Sequence, residues 1–167
     1  MAKSGDNRSN VDRQPAIPPQ QAGGQQVMDL LDEIHKLEQF RREQLTLRKL
    51  GSYLMSSFAA REAYAAIECF GPQLWPAATG AVYLLNGSAD YLERVATWGD
   101  AALNKQPLAL QDCWALRLLQ PHCNRDAGLE PLCGHIEASG TLPSLCVPLA
   151  AQGQTLGLLH LQCLKNN

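Results

Sequence analysis

The sequence predicts an α+β domain, with helices packed on one face of an antiparallel sheet of about five to six strands and a long helix leading in. Two observations carry this. Apolar residues recur at helical spacing through the first third of the chain, and two hairpin signals, Asn86-Gly87 and Gln152-Gly153, are each flanked by strand-forming runs. Helices followed by hairpins bury their apolar faces most simply as helix layer on sheet.

Residues 1–26 are rich in Gln, Pro, Gly, Ser and Asn and poor in large apolar side chains. They cannot offset the entropy of ordering and are expected to form a disordered tail or linker. Residues 27–50 are expected to form a coiled-coil helix running into a domain over 51–165. In that helix Leu30, Ile34 and Leu37 follow a 3-4 spacing, which Leu47, Leu50 and Leu54 resume after a phase shift near Phe40 to Gln44. Asp32 with Lys36 and Glu38 with Arg42 are i,i+4 pairs in the favourable order. The narrow seam fits a helix folded onto its own domain or, better, a parallel coiled coil with a second copy, because so polar a helix buries a thin stripe most simply against itself.

The helix is expected to continue to about Phe58. A second one follows in "AAREAYAAIECFGPQLWP", where Ala63, Ala66, Ile67, Phe70 and Leu74 make the buried face and Pro76 stops it. "GAVYLLNGSADYLERVATWG" then reads as a hairpin turning at Asn86-Gly87 and ending near Trp98. Residues 99–143 are irregular apart from a short helix capped by Asp112, with Ala115, Leu116 and Leu119 as its apolar face and Pro121 as its end. The closing hairpin pairs Ser144 to Leu149 with Thr155 to Cys163 around Gln152-Gly153. Near-continuous leucine in its second strand implies burial on both faces and a central place in the sheet.

Charge and composition exclude several functions. With 14 basic and 16 acidic residues the chain lacks the basic footprint of a nucleic-acid binder. It has no signal-peptide core and no run near the roughly 20 apolar residues of a membrane span, so a cytoplasmic protein with no membrane partner is expected. In that compartment the six cysteines are expected to be free thiols. There is no P-loop, no Gly-x-Ser-x-Gly and no carboxylate pair tied to a histidine, so the chain does not read as an enzyme.

Loops as long as 99–143 are usually functional in small domains. Cys113 falls in the first turn of the expected short helix, where free N–H groups favour a thiolate and Asp112 opposes it. Cys133 and His135, in an extended chain, point to one side. With His122 they make a conceivable Cys113, His122, Cys133, His135 metal set, although the spacings do not match short zinc knuckles. The plainer reading is of buried thiols and a histidine bonded to backbone. Trp98 and Trp114 read as core or as the wall of a ligand pocket shared with Cys113, Cys133 and His135. Cys69, Cys146 and Cys163 read as small hydrophobes within predicted elements, and His160 as a partly exposed strand residue.

In their order, "LRKLGSYLMSS", "AAIECFGPQLWP", "GAVYLLNGSADYLERVATWG", "DCWALR" and "SLCVPLAAQGQTLGLLHL" resemble a GAF domain over roughly residues 45 to 164. In particular the chain resembles GAF modules placed ahead of diguanylate cyclases and histidine kinases, where a DCWALR-type segment, a later Cys-x-His and an LCVPL-x-x-QG-x-x-LG-x-L hairpin recur together. The resemblance implies a sheet of six strands or so with loops enclosing a pocket, dimerisation through the preceding helix, a non-catalytic sensory role and an output kinase or cyclase as partner, which is not expected to follow on this chain. It leaves the cofactor open between a small ligand and a metal ion. Bilin attachment, known in GAF photosensors, is disfavoured because Gly134 separates Cys133 from His135 and Cys113 directly follows Asp112.

Overall fold

The computed structural model describes residues 19–88, 90–99, 107–124, 130–136 and 142–164, with side chains from Gly24 onward. The tail expected over residues 1–18, and the parts of the expected pocket cover at 100–106, 125–129 and 137–141, lie outside these. Helix α1 spans Pro19–Ser56 and α2 Ala60–Leu74; strands β1 (Ala78–Leu85), β2 (Tyr91–Trp98) and β3 (Leu108–Ala109) follow, then the short helix α3 (Trp114–Leu118) and strands β4 (His122–Asn124), β5 (Ser144–Ala151) and β6 (Gln154–Cys163). The chain forms two compact units divided between Arg41 and Arg42.

In the first unit, the start of α1 corrects the expected tail boundary, since residues 19–26 are already helical. Proline is pre-organised for a first helical turn, and Gln and Ala extend a helix nucleated further along at little cost. The whole of α1 is about 57 Å long at 1.5 Å per residue. Val27, Leu30, Leu31, Ile34 and Leu37 along it are all exposed.

In the second unit the last turns of α1 meet α2 through Tyr53 and Phe70, whose rings are tilted at 5.5 Å. Helix α2 starts without a side-chain cap at Ala59, but the Glu62 carboxylate accepts the Phe58 N–H at 2.9 Å and satisfies one of the free donors there. Tyr64, Ile67, Gly71 and Leu74 turn toward the sheet.

All six strands form one antiparallel sheet in the order β3-β2-β1-β6-β5-β4. Strands β1 and β6 are central, which is why both carry long apolar runs. The closing hairpin turns as expected at Gln152 (φ 53°) and Gly153 (φ 77°), the paired positive φ angles of a two-residue turn that matches strand twist. The first hairpin differs. Instead of a two-residue Asn-Gly turn, the Asn86 N–H bonds the Tyr91 carbonyl at 2.9 Å, while Asn86 Oδ1 accepts the N–H groups of Asp90 and Tyr91. The asparagine caps a wider loop, as its side chain allows. Two short edge strands, β3 and β4, arise within the stretch expected to be irregular; two or three residues carry too little periodicity to show in a sequence.

The sheet separates two cores. Val82, Ala96, Trp98 and Leu161 face α2, with Ile67, Trp75 and Leu159 packed around them. Ala81, Tyr83, Leu92 and Leu158 face the opposite way, beneath Leu108, Cys113, Ala115, Leu116 and Cys133. A bulge in β2 decides which residues go where. Tyr83 pairs with Arg94 and Val82 with Ala96, so Val95 is an extra residue and the facing of β2 inverts beyond it. Leu92 thereby faces the second core while Trp98 faces α2.

Trp98 stacks on Trp75 with ring centroids 5.6 Å apart, and its indole lies directly over the Cα atoms of Gly71 and Gly80, where any Cβ would collide with it. At Gly157 a Cβ would strike the backbone carbonyl of Tyr83, which cannot rotate away. Gly80→Ala is therefore expected to destabilise the fold by roughly 1–3 kcal/mol through overpacking, and Gly157→Ala by at least as much. Urea unfolding monitored by tryptophan fluorescence measures both. A loss below about 0.5 kcal/mol at either position would contradict this packing.

Candidate functional site

Strands β5 and β6 pair so that Cys146 lies directly opposite His160, and His122 of β4 lies opposite Cys146 on its other side. Residues directly opposite share a face. This row lies on the face away from α2. Cys146 and His160 are each 1% exposed, so His160 is not the partly exposed strand residue expected, while Cys146 is buried within a strand as expected and has imidazoles beside it. The Cys146 Sγ is 3.3 Å from His160 Nδ1 and 3.6 Å from His135 Nε2.

Three further groups close over this pair from the segment that covers the sheet. Asp112 does not cap α3; it ends a 3-10 turn over Leu110–Asp112, and Cys113 takes the cap position with extended backbone, φ −120° and ψ 120°. The Cys113 thiol is thereby turned down onto the sheet and is fully buried. Cys133 and His135 do not sit in an extended chain. They flank a turn at Gly134 closed by the Ile136 N–H to the Cys133 carbonyl at 3.0 Å, and both side chains reach inward. The Sγ atoms of Cys113 and Cys133 are 3.9 Å apart, and the Trp114 N–H donates to Cys133 Sγ at 3.3 Å. The imidazoles of His135 and His160 meet edge to face at 5.3 Å.

One ligand atom from each of Cys113, Cys133, His135 and Cys146 thus lies within 4.8 Å of all the others, and all four residues are buried. His122 stands beside this group and is engaged elsewhere. Its Nε2 donates to the Pro131 carbonyl at 2.9 Å and its Nδ1 is 3.6 Å from a Glu130 carboxylate oxygen, so it anchors the loop that carries Cys133 and His135. Trp98 is not part of the group. The β2 bulge sends it to the other sheet face, where its Nε1 is buried without a partner among the described residues. Trp114 contributes its backbone N–H, while its ring packs beside the cluster under the Arg117 guanidinium, 3.9 Å from the ring centroid.

The electrostatics of the three thiols follow from their contact. Hydrogen bonds from Cys113 and Cys146 hold the Cys133 thiol well below its usual range, with smaller help from His135 and the Trp114 N–H against the cost of burial. Cys113, bonded to Cys133, is pushed up to about 11. Cys146 is driven strongly upward by its bonds to Cys113 and Cys133 and then by burial. Burial, and then His135, pull His160 down to about 4, so its ring is neutral at neutral pH and can donate from Nδ1 to sulfur.

The sequence search missed Cys146 and His160. The signal available was their place on the two strands of one hairpin, but a two-residue turn at 152–153 extended without interruption pairs Cys146 with Leu159. An irregularity between Leu149 and Ala150, where Leu156 is the extra residue opposite, moves the pairing to His160.

No protein-family model matches this chain, and no curated protein matches it. Solved structures do. It is similar to a putative GAF sensor protein from Burkholderia vietnamiensis, with a TM-score of 0.59 and 19% identity over 75% of this chain and 79% of that one. A structure described as the GAF domain matches with a TM-score of 0.62 and 18% identity over 75% of each chain. The reduced form of fRMsr from Staphylococcus aureus matches with a TM-score of 0.54 and 15% identity over 73% and 79%. With a six-stranded antiparallel sheet, α2 on one face and the segment bearing the thiols on the other, the chain has the GAF fold.

Proposed function

We propose that this chain is a non-catalytic sensory module that pairs with a second copy through α1 and takes its input at the buried cluster of Cys113, Cys133, His135 and Cys146. The observation that carries the reading is the convergence of three thiols and an imidazole from three separate stretches of chain. A fold uses such a cluster for packing alone at a cost, since each polar group needs a partner in low dielectric. Structures of this fold include a putative GAF sensor protein and a methyl-accepting chemotaxis protein, which supports a sensory role.

Pairing is supported by the apolar residues along α1, exposed at Leu30 (63%), Ile34 (43%) and Leu37 (61%), which follow the seam spacing of a two-stranded coiled coil. An event at the cluster is carried outward because the α3 segment and the 130–136 loop rest on the sheet whose other face holds α2. Its output is a change in the packing of paired helices, read by a kinase or cyclase partner.

A second reading has its own observation. The Cys133 and Cys113 thiols are 3.9 Å apart, so hydrogen peroxide can oxidise the two thiols to a disulfide while it is itself reduced to two waters. The input is then redox state.

Sedimentation velocity tests the pairing. The full chain is expected to be a dimer at micromolar concentration, and the double substitution Ile34→Glu, Leu37→Glu a monomer with unchanged thermal unfolding of the domain. A monomeric parent protein would remove the proposal. Peptide mapping after brief exposure to hydrogen peroxide tests the second reading. A Cys113–Cys133 disulfide is its expected product, and both thiols remaining reduced while exposed Cys69 and Cys163 react would exclude it.

A further inference from the structure

The separations within the cluster carry a more specific conclusion about its chemistry. In a tetrahedral zinc site, with Zn–S near 2.3 Å and Zn–N near 2.05 Å, two sulfurs are about 3.8 Å apart and a sulfur and a nitrogen about 3.6 Å. Here Cys113 Sγ and Cys133 Sγ are 3.9 Å apart, and Cys146 Sγ and His135 Nε2 are 3.6 Å apart. These are opposite edges of one tetrahedron, and between them they use all four donors. The remaining edges are no longer than 4.8 Å, so the widest closes with about 1 Å of side-chain movement.

We infer that Cys113, Cys133, Cys146 and His135 form a closed tetrahedral site for one divalent ion of the zinc class. The inference deepens the proposed function, resting on the same cluster as its working centre, and names what that centre takes. Three sulfurs and an imidazole suit a borderline-soft ion and not magnesium or calcium, which require oxygen donors. Four protein ligands leave no open position, which is the arrangement of a structural or regulatory ion and not of a catalytic one. The ion ties α3, the 130–136 turn and β5 together.

Groups in contact with the donors fit the same assignment. Three thiolates around a divalent ion leave one net negative charge in a buried place. The Trp114 N–H to Cys133 Sγ and His160 Nδ1 to Cys146 Sγ, both at 3.3 Å, supply hydrogen bonds to coordinated sulfur. His160 is therefore a positioning residue and not a fifth ligand. His122, with Nε2 on the Pro131 carbonyl, is outside the site although it neighbours Cys146 across the strands.

The test is titration of the full, reduced, metal-free chain with cobalt(II) as the spectroscopic probe, followed by displacement with zinc. One equivalent is expected to give intense tetrahedral d–d bands and sulfur-to-cobalt charge transfer, and zinc should abolish both. Cys146→Ser should lose about one third of the charge-transfer intensity. His160→Gln should keep the tetrahedral spectrum and weaken binding about 10- to 100-fold, and His122→Ala should leave the spectrum and stoichiometry unchanged. Absence of tetrahedral sulfur bands in the parent chain overturns the inference, as does a spectrum unaltered in folded Cys146→Ser. If Cys146→Ser does not fold, Cys113→Ser makes the same comparison, and the parent spectrum decides in any case. A dimer that binds no ion would leave the sensory reading standing without this one. A monomer that binds cobalt as described would do the reverse.

Discussion

The cross-strand pairing of Cys146 with His160 is the constraint on which the site is built. Both lie on strands held by the most extensive pairing in the sheet, and their register is set at two places: the positive-φ turn at Gln152 and Gly153, and the irregularity beyond Leu149 that leaves Leu156 as an extra residue. Because side chains alternate, a one-residue slip would send Cys146 or His160 to the face under α2. Everything else at the site is delivered onto this fixed pair by less regular chain. Cys113 arrives from the cap of a five-residue helix, and Cys133 and His135 from a turn that His122 holds by its bond to Pro131.

The same sheet gives its two faces different work. Toward α2 the packing is tight and apolar, with the Trp98 indole laid on Gly71 and Gly80 and stacked on Trp75. On the other face sulfur and imidazole replace part of the aliphatic core, and Tyr83 is buried deeply enough beside them that its hydroxyl is pushed up to about 12. Strand β1 serves both, with Ala81 and Tyr83 on one side and Val82 and Leu84 on the other. A single layer of sheet backbone therefore separates the thiol-bearing cover from α2.

How far the sequence could be read follows from the kind of signal each element emits. Long periodic elements, the closing turn at Gln152 and Gly153 and the central leucine-rich strand were legible, and so was the GAF resemblance carried by the order of its segments, while Asn86-Gly87 marked the first hairpin without giving its turn. Short edge strands emit almost no periodicity. Bulges emit none, and two of them decide the site: Val95 turns Trp98 away from the thiols, and Leu156 brings His160 to Cys146. Cys113, Cys133 and His135 attracted attention because they lie in loop sequence, where polar and reactive residues stand out. Cys146 and His160 are set among Leu, Val and Pro in strands, and the same residue types read there as packing.

The proposed centre depends on residues 107–124 and 130–136 lying over the sheet so that their thiols and imidazole meet the Cys146 and His160 pair. The most direct measurement is a carbon-edited NOESY spectrum of the labelled full chain. Cross-peaks are expected between the ring protons of His135 and those of His160, whose centroids are 5.3 Å apart, and between the His135 ring and the Cys146 β-protons. A His135 ring with neither contact and with chemical shifts of a solvated imidazole would contradict the account.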